Sequence, residues 1–246
     1  LLERARAEID SDPVDATVDF LPGNSVPFRF TDEREGRQLS TDALRERIEA
    51  SILSLTPVTE TLKPEAVRPQ VYRAELEGAI VLRSRIVVPL SGSEAAQANA
   101  ALAAAALNGL RVDTGETLSF NQTVGLRTSE AGYQAAEEPA YGQNVSGVGG
   151  GVCQVSTALY RLALLGGLEI GERNAAVYPV DYCDVGQEAA VSDQGLDLKI
   201  VNSTGMPVFL TARVYADGDG QTMELQKVLC LFRQMQRAYI HLLCRQ

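Results

Sequence analysis

The sequence predicts an α+β fold, a small α+β domain followed by a larger one in which a Gly-rich turn opens a helix and an antiparallel sheet completes the core. Three observations predict it. Residues 94–110, EAAQANAALAAAALNGL, are alanine-dense and end in Asn108-Gly109, the pattern of a close-packed helix with a C-terminal stop. Residues 149–167 run from three glycines through VCQVSTALYRLALL to Gly166-Gly167, where Val155, Leu159, Leu162 and Ala163 share one helical face. From residue 175 onward, AAVYPVDY, AAVSD, LDLKIVNST and PVFLTARVY read as short strands with Gly, Asn and Pro turns between them.

The remaining elements follow in chain order. Leu1 to Asp10 is charged and reads as the end of a helix or a linker. Val14 to Phe30 alternates apolar and polar residues around a PGN turn, which predicts a β-hairpin. After Ser40 and Thr41, either of which can cap exposed amides, Leu44, Ile48, Ile52 and Leu55 recur on one helical face. Pro57 and Pro64 break that helix, and AVRPQVYRAEL is read as an extended piece ending the first unit, with the boundary between residues 76 and 90. Residues 12–83 are accordingly assigned to the first domain and 84–218 to the second.

Residues 219–246 are set apart as a basic tail, predicted helical. From Leu225 the chain carries Lys227, Arg233, Arg237 and Arg245 and no acid, which leaves −14 on the rest. Val228, Phe232, Met235, Tyr239 and Leu242 recur at alternating spacings of four and three, a seam suited to packing on this domain or on a partner.

Composition excludes several classes of function. A net charge of −10, from 22 Lys and Arg against 32 Asp and Glu, opposes nucleic acid. Four cysteines without a CxxC pair, and His241 as the only imidazole, leave no zinc set, so no metal is expected. The glycine run lacks the Lys-Ser/Thr ending of a phosphate loop and follows no strand of a βαβ unit, so no cofactor is expected either. No apolar run spans a membrane, and any membrane contact is expected to pass through an anchor outside this sequence. Oligomeric state is not legible.

Chemistry concentrates at Cys153. A cysteine in the first turn of a helix sits among unpaired amides at the positive end of the helix dipole, which stabilises a thiolate. Gly149, Gly150 and Gly151 are read as clearance for a substrate carbonyl, and the backbone amides near Cys153 with the Gln154 side chain as donors to an oxyanion. That arrangement suits acyl transfer. The bland alternative is a buried, inert cysteine.

The strings ETLSFNQTVGLRTSEAGY, GVGGGVCQVSTALYRLALLGGLEI and ERNAAVYPVDY together resemble the VanW-like family over residues 84 to 215, with GGGVCQVST the most specific match. Residues 12 to 80 resemble the peptidoglycan-binding domain that commonly precedes VanW domains. The resemblance implies an extracytoplasmic bacterial protein of the cell envelope whose partners are peptidoglycan stem peptides. It also implies the activity of some members, an L,D-transpeptidase forming 3-3 cross-links through the motif cysteine, here Cys153. Ser156, Thr157 and Tyr160 match the same string, Asn121 the SFN element and Arg127 the GLRT element, as residues lining or shaping the site. Arg173 is a candidate for holding a substrate carboxylate, with an ion pair as the alternative.

Two departures weaken the enzymatic reading. Ala176 stands where the family places a histidine, and Glu188 replaces the aspartate of its GxDA element. Glu172, Asp181, Tyr182 and Glu188 are the candidate substitute bases, while His241 would need the tail to fold back. Cys183 is left as either a core residue or a disulfide partner. Two functions therefore stand side by side: a cysteine transpeptidase, and a non-catalytic envelope-binding relative that keeps the cysteine for packing.

Overall fold

The computed structural model describes residues 2–21, 24, 27–57, 59, 61–140, 143–218 and 220–230. They contain, in chain order, α1 (Leu2–Ile9), β1 (Thr17–Phe20), β2 (Phe28–Thr31), β3 (Gly36–Gln38), α2 (Asp42–Ser54), β4 (Glu65–Val67), α3 (Arg73–Ala79), β5 (Ile80–Pro89), α4 (Glu94–Leu107), β6 (Arg111–Val112), β7 (Thr117–Ser119), α5 (Phe120–Val124), β8 (Ala135–Ala140), β9 (Gln143–Val148), α6 (Val152–Leu165), β10 (Glu169–Glu172), β11 (Lys199–Val201), β12 (Val208–Asp217) and β13 (Gly220–Cys230). The fold class is the expected α+β. Two compact units divide the chain between Gly78 and Ala79, residues 20–27 grouping with the second.

The first unit holds small two-stranded pieces and α1, α2 and α3. β3 pairs antiparallel with β4, and Asp15 accepts hydrogen bonds from the amides of Gln70 and Val71 (2.6 and 3.1 Å). The predicted α2 forms, but Thr41 makes no side-chain cap, and Ile52 and Leu55 are 67% and 91% exposed. Its apolar stripe is thus only half used, by Leu44 and Ile48. The segment read as extended before residue 80 instead ends in α3, where Arg73 and Glu77 pair one turn apart at 2.7 Å.

In the second unit a four-stranded antiparallel sheet runs β5-β13-β12-β6, and a three-stranded one runs β10-β11-β7. Helices α4 and α6 touch each other and contact the four-stranded sheet. Alanine makes the close approach possible: Ala96, Ala100, Ala103 and Ala104 of α4 are buried, as are Val155, Leu159 and Leu162 of α6. Leu210, Met223 and Leu225 complete this core from the sheet side. Ser93 caps α4 by accepting from the Ala96 amide, as its position before an alanine run favours.

Two expectations are corrected here. Gly220–Cys230 is not helical but a strand that lies between β5 and β12, with Leu225 opposite Ile86 and Ala212. Residues 222–225 and 227–229 are all buried, so the strand is enclosed on both faces instead of offering one helical seam. Phe232, Met235, Tyr239, His241 and Leu242 lie outside the described residues. Second, AAVYPVDY and AAVSD form no strands; residues 173–198 make a long connection with one bridge, Asn174 to Ala190. The chain before the three glycines forms a hairpin, β8 paired with β9 from Ala135↔Val148 to Ala140↔Gln143.

Candidate active site

Helix α6 starts at Gly151, whose φ of 101° is a left-handed conformation that L side chains avoid. Cys153 is the second helical residue. Its side chain is partly exposed, and its thiol donates to the Val191 carbonyl at 3.5 Å. Tyr182 comes to the same place: its hydroxyl lies beside Thr157, and burial, reinforced by the nearby Cys153 sulphur, pushes its ionisation above the ordinary phenol range. It is held protonated, as a donor.

The three glycines have an unexpected partner. A Cβ at Gly149 would lie 2.7 Å from the Arg127 Cβ, one at Gly150 would lie 2.8 Å from the Ala136 carbonyl oxygen, and one at Gly151 would meet the Ala96 carbonyl. The clearance read as room for a substrate is filled by the protein itself, by α4, β8 and Arg127. Asn99 of α4, 1% exposed, donates to the carbonyls of Gly150 and Gln134 (2.9 Å each) and accepts from the Gln134 amide (2.8 Å). A polar residue inside an alanine helix was the sequence signal for this clamp.

Gln154 does not face the sulphur either. Its Oε1 accepts from the Ser91 amide at 2.9 Å and its Nε2 donates to the Ser91 carbonyl at 3.1 Å, so the amide pins the turn between β5 and α4. The backbone amides of Val152 and Gln154 are taken by the Gly149 and Gly151 carbonyls. These groups build the helix start instead of pointing at a substrate.

The other motif residues converge on one segment, residues 186–197. The Ser156 hydroxyl donates to the Ala189 carbonyl (2.6 Å), and Thr157 accepts from the Ala189 amide (3.0 Å). At the far end, Asn121 donates to the carbonyls of Ser192 (3.1 Å) and Leu196 (2.8 Å), while its Oδ1 accepts from Arg127 (2.9 Å). Arg127, itself buried, pairs with Asp193 at 2.8 Å. Both ends of the segment are therefore fixed, and Val191 between them presents its carbonyl to Cys153.

Arg173 grips the start of the same segment. Its guanidinium donates to the Glu188 carbonyl (2.7 Å) and carboxylate (3.0 Å), and stacks over the Tyr160 ring at 5.3 Å. The alternative of an ion pair, not a free carboxylate receptor, is the one realised. Glu188 is further engaged by the Gly186 amide at 2.6 Å, and Glu172 is held below the ordinary carboxylate range by hydrogen bonds from Lys199 and Asn174. Cys183 is a free, half-buried thiol, its ionisation pushed up by burial and by Glu188. Asp197 went unanticipated: it accepts from the Ser119 hydroxyl (2.6 Å) and the Asn121 amide (2.9 Å), fixing Asn121 in turn.

Among the described residues there is no histidine, and no group of three or more His, Cys, Asp or Glu is disposed to hold a metal. Ala176 is half-buried and carries no proton-transfer group.

The profile described as VanW like protein matches residues 95–225. That is more than half of the 246 residues, and it takes in α4, the hairpin, α6 and half of β13. The chain belongs to the VanW-like family. Protein YoaR of Bacillus subtilis (strain 168), described as uncharacterized, is 37% identical over 125 residues, covering 51% of this chain and 41% of that protein. The vancomycin B-type resistance protein VanW of Enterococcus faecalis (strain ATCC 700802 / V583) is 35% identical over 111 residues, covering 43% of this chain and 40% of that protein. The chain thus spans about two fifths of the length of these curated relatives. No solved structure matches it. The VanW-like match includes Cys153 and every residue of the 186–197 segment that the motif side chains hold.

Proposed function

We propose that this VanW-like protein acts on peptidoglycan at the bacterial cell envelope, with Cys153 as the nucleophile of an acyl transfer. The observation that carries the reading is the position of the sulphur: second in a 14-residue helix, partly exposed, and faced by the Val191 carbonyl. Helix dipole and first-turn geometry favour a thiolate there.

In the proposed step the Cys153 sulphur attacks the carbonyl carbon of the third residue of a donor stem peptide, meso-diaminopimelate or a similar diamino acid. The bond to the fourth residue breaks and that residue leaves as a free amine, taking a proton. An amine of a neighbouring stem peptide then attacks the thioester, the C–S bond breaks, and the thiol is restored with a 3-3 cross-link formed. Tyr182, protonated and beside the sulphur, is the described side chain suited to donate during these steps. The first unit, residues 12–83, is proposed to hold the peptidoglycan strand.

A second reading is favoured by a specific observation. Ala176 occupies the family's histidine position, and Glu188 is spent on Arg173, so no described base stands ready at the thiol. On that reading the protein binds peptidoglycan without transferring an acyl group. Incubation with a disaccharide-tetrapeptide, followed by mass spectrometry of the Cys153 peptide, separates the two. An adduct lacking the fourth residue establishes the enzyme; binding without any adduct establishes the non-catalytic relative.

A further inference from the structure

We infer that Asn99 is the positioning residue of the Cys153 turn, setting the reactivity of the thiol through the Gly150 carbonyl. The inference rests on the reading of Cys153 as a reactive thiol, and it deepens that reading by naming what holds the sulphur in place.

Asn99 is nearly fully buried in α4, a helix otherwise lined with alanine on that side. Three hydrogen bonds tie its side chain to the chain that leads into α6: one to the Gly150 carbonyl, two to Gln134 at the base of the β8–β9 hairpin. Gln134 is also where the Gly149 amide bonds, at 3.1 Å. One side chain thus ties together both strands' ends and the residue three before Cys153. No side chain caps α6, because its N-cap is Gly151. The geometry of its first turn therefore depends on the glycine run being held from outside, and Asn99 is the group that holds it. The glycines supply the fit against Ala96 and Ala136, while the amide supplies direction.

Removing a buried polar side chain that bonds backbone groups costs the desolvation of each group it leaves unpaired. With Asn99→Leu, similar in size but without hydrogen bonds, the Gly150 carbonyl and the Gln134 amide lose their Asn99 partner, and the Gln134 carbonyl keeps the Gly149 amide. The turn re-orients to find others, the first turn of α6 frays, and a thiolate at Cys153 loses the helix dipole that favours it.

The test is iodoacetamide alkylation of the intact folded protein from about pH 6 to about pH 10, read separately at Cys153 and Cys183 by peptide mass spectrometry. Cys183 serves as the internal control, since it too is outside any disulfide and half-buried but lies beside Glu188 and Arg173. Asn99→Leu is expected to slow alkylation of Cys153 near neutral pH by about tenfold and to move its pH profile upward, with Cys183 unchanged. A change of equal size at both thiols, or none at Cys153, overturns the inference. Should Asn99→Leu fail to fold, Asn99→Asp carries the same test: it keeps the acceptor for the Gln134 amide, loses both donors and sets a negative charge against the Gly150 carbonyl. The Cys153 to Cys183 rate ratio is expected to fall in that variant too, and a ratio equal to wild type overturns the inference. The outcome is independent of acyl transfer: failure of the wild-type protein to form a stem-peptide adduct refutes the enzymatic reading and leaves the alkylation ratio as it is.

Discussion

Arg173 and Glu188 are joined by a 3.0 Å ion pair, and the same guanidinium also takes the Glu188 main-chain carbonyl at 2.7 Å. The Glu188 carboxylate is therefore held by Arg173 and is not free to act as a base for the thiol. Its work is to fold the start of the 186–197 segment, whose Val191 carbonyl meets Cys153.

Restoring an imidazole is the sharpest consequence. If the enzymatic reading holds, Ala176→His supplies an imidazole that the described residues lack, and the acylation rate at neutral pH is expected to rise on the order of 10²-fold. The wild-type rate should climb steadily with pH as the thiol ionises, whereas the variant should level off near neutrality. Single-turnover thioester formation across pH measures both; identical profiles exclude a role for position 176.

Gly151→Ala is expected to destabilise the second unit by about 2 to 4 kcal/mol. The substitution meets a left-handed backbone conformation and the Ala96 carbonyl at once. Gly186→Ala, also at positive φ but with open space around it, is the control and should cost less. Urea denaturation of the three proteins decides, and equal stabilities contradict the close packing of α6 on α4.

Glu224 lies buried between Arg85 (2.6 Å) and Arg213 (2.6 Å) on the outer face of the four-stranded sheet. Burial alone would raise its carboxyl, but hydrogen bonds from Arg85, Arg213 and Gln226 outweigh it and hold the group at about 2. A carboxyl depressed in the folded state stabilises above its unfolded value near 4.3, and this contribution disappears as pH falls toward 2. Glu224→Gln should therefore be less stable than wild type by about 2 kcal/mol at neutral pH, with the difference closing in acid. Denaturation midpoints measured down to about pH 2.5 check it; a gap that persists there contradicts the assignment.

Lys227 is wholly buried, with its amine on the Gly166 carbonyl at the end of α6 (2.5 Å). Burial, and then the like charge of Arg83, lower its ionisation below the ordinary lysine range. Between that lowered value and the unfolded one near 10.4, the unfolded chain binds the proton that the folded chain has lost, so wild-type stability rises with pH. Lys227→Met, which fills the same space, is expected to be at least as stable as wild type at neutral pH and to lose that advantage in alkali. Paired denaturation curves from about pH 7 to about pH 10 test the sign.

The sequence by itself determined the α+β class, helices α4 and α6 with their stops, the place of Cys153 in a first helical turn, and membership of the VanW-like family. These are local or string-level properties: alanine density, a 3.6-residue apolar period, and a glycine run before a cysteine. Only the tertiary structure decided what the motif side chains do. Gln154 reads as an oxyanion donor until Ser91, 63 residues earlier, is seen to occupy its amide at both ends. Asn121 and Arg127 read as site-lining residues until the 192–196 carbonyls and Asp193 claim them. Residues 220–230 likewise became a strand because β5 and β12 lay on either side to receive their hydrogen bonds. Long-range hydrogen bonding leaves no periodic trace in a single sequence, since the partner of a polar side chain is set by which backbones the fold brings within about 3 Å of it.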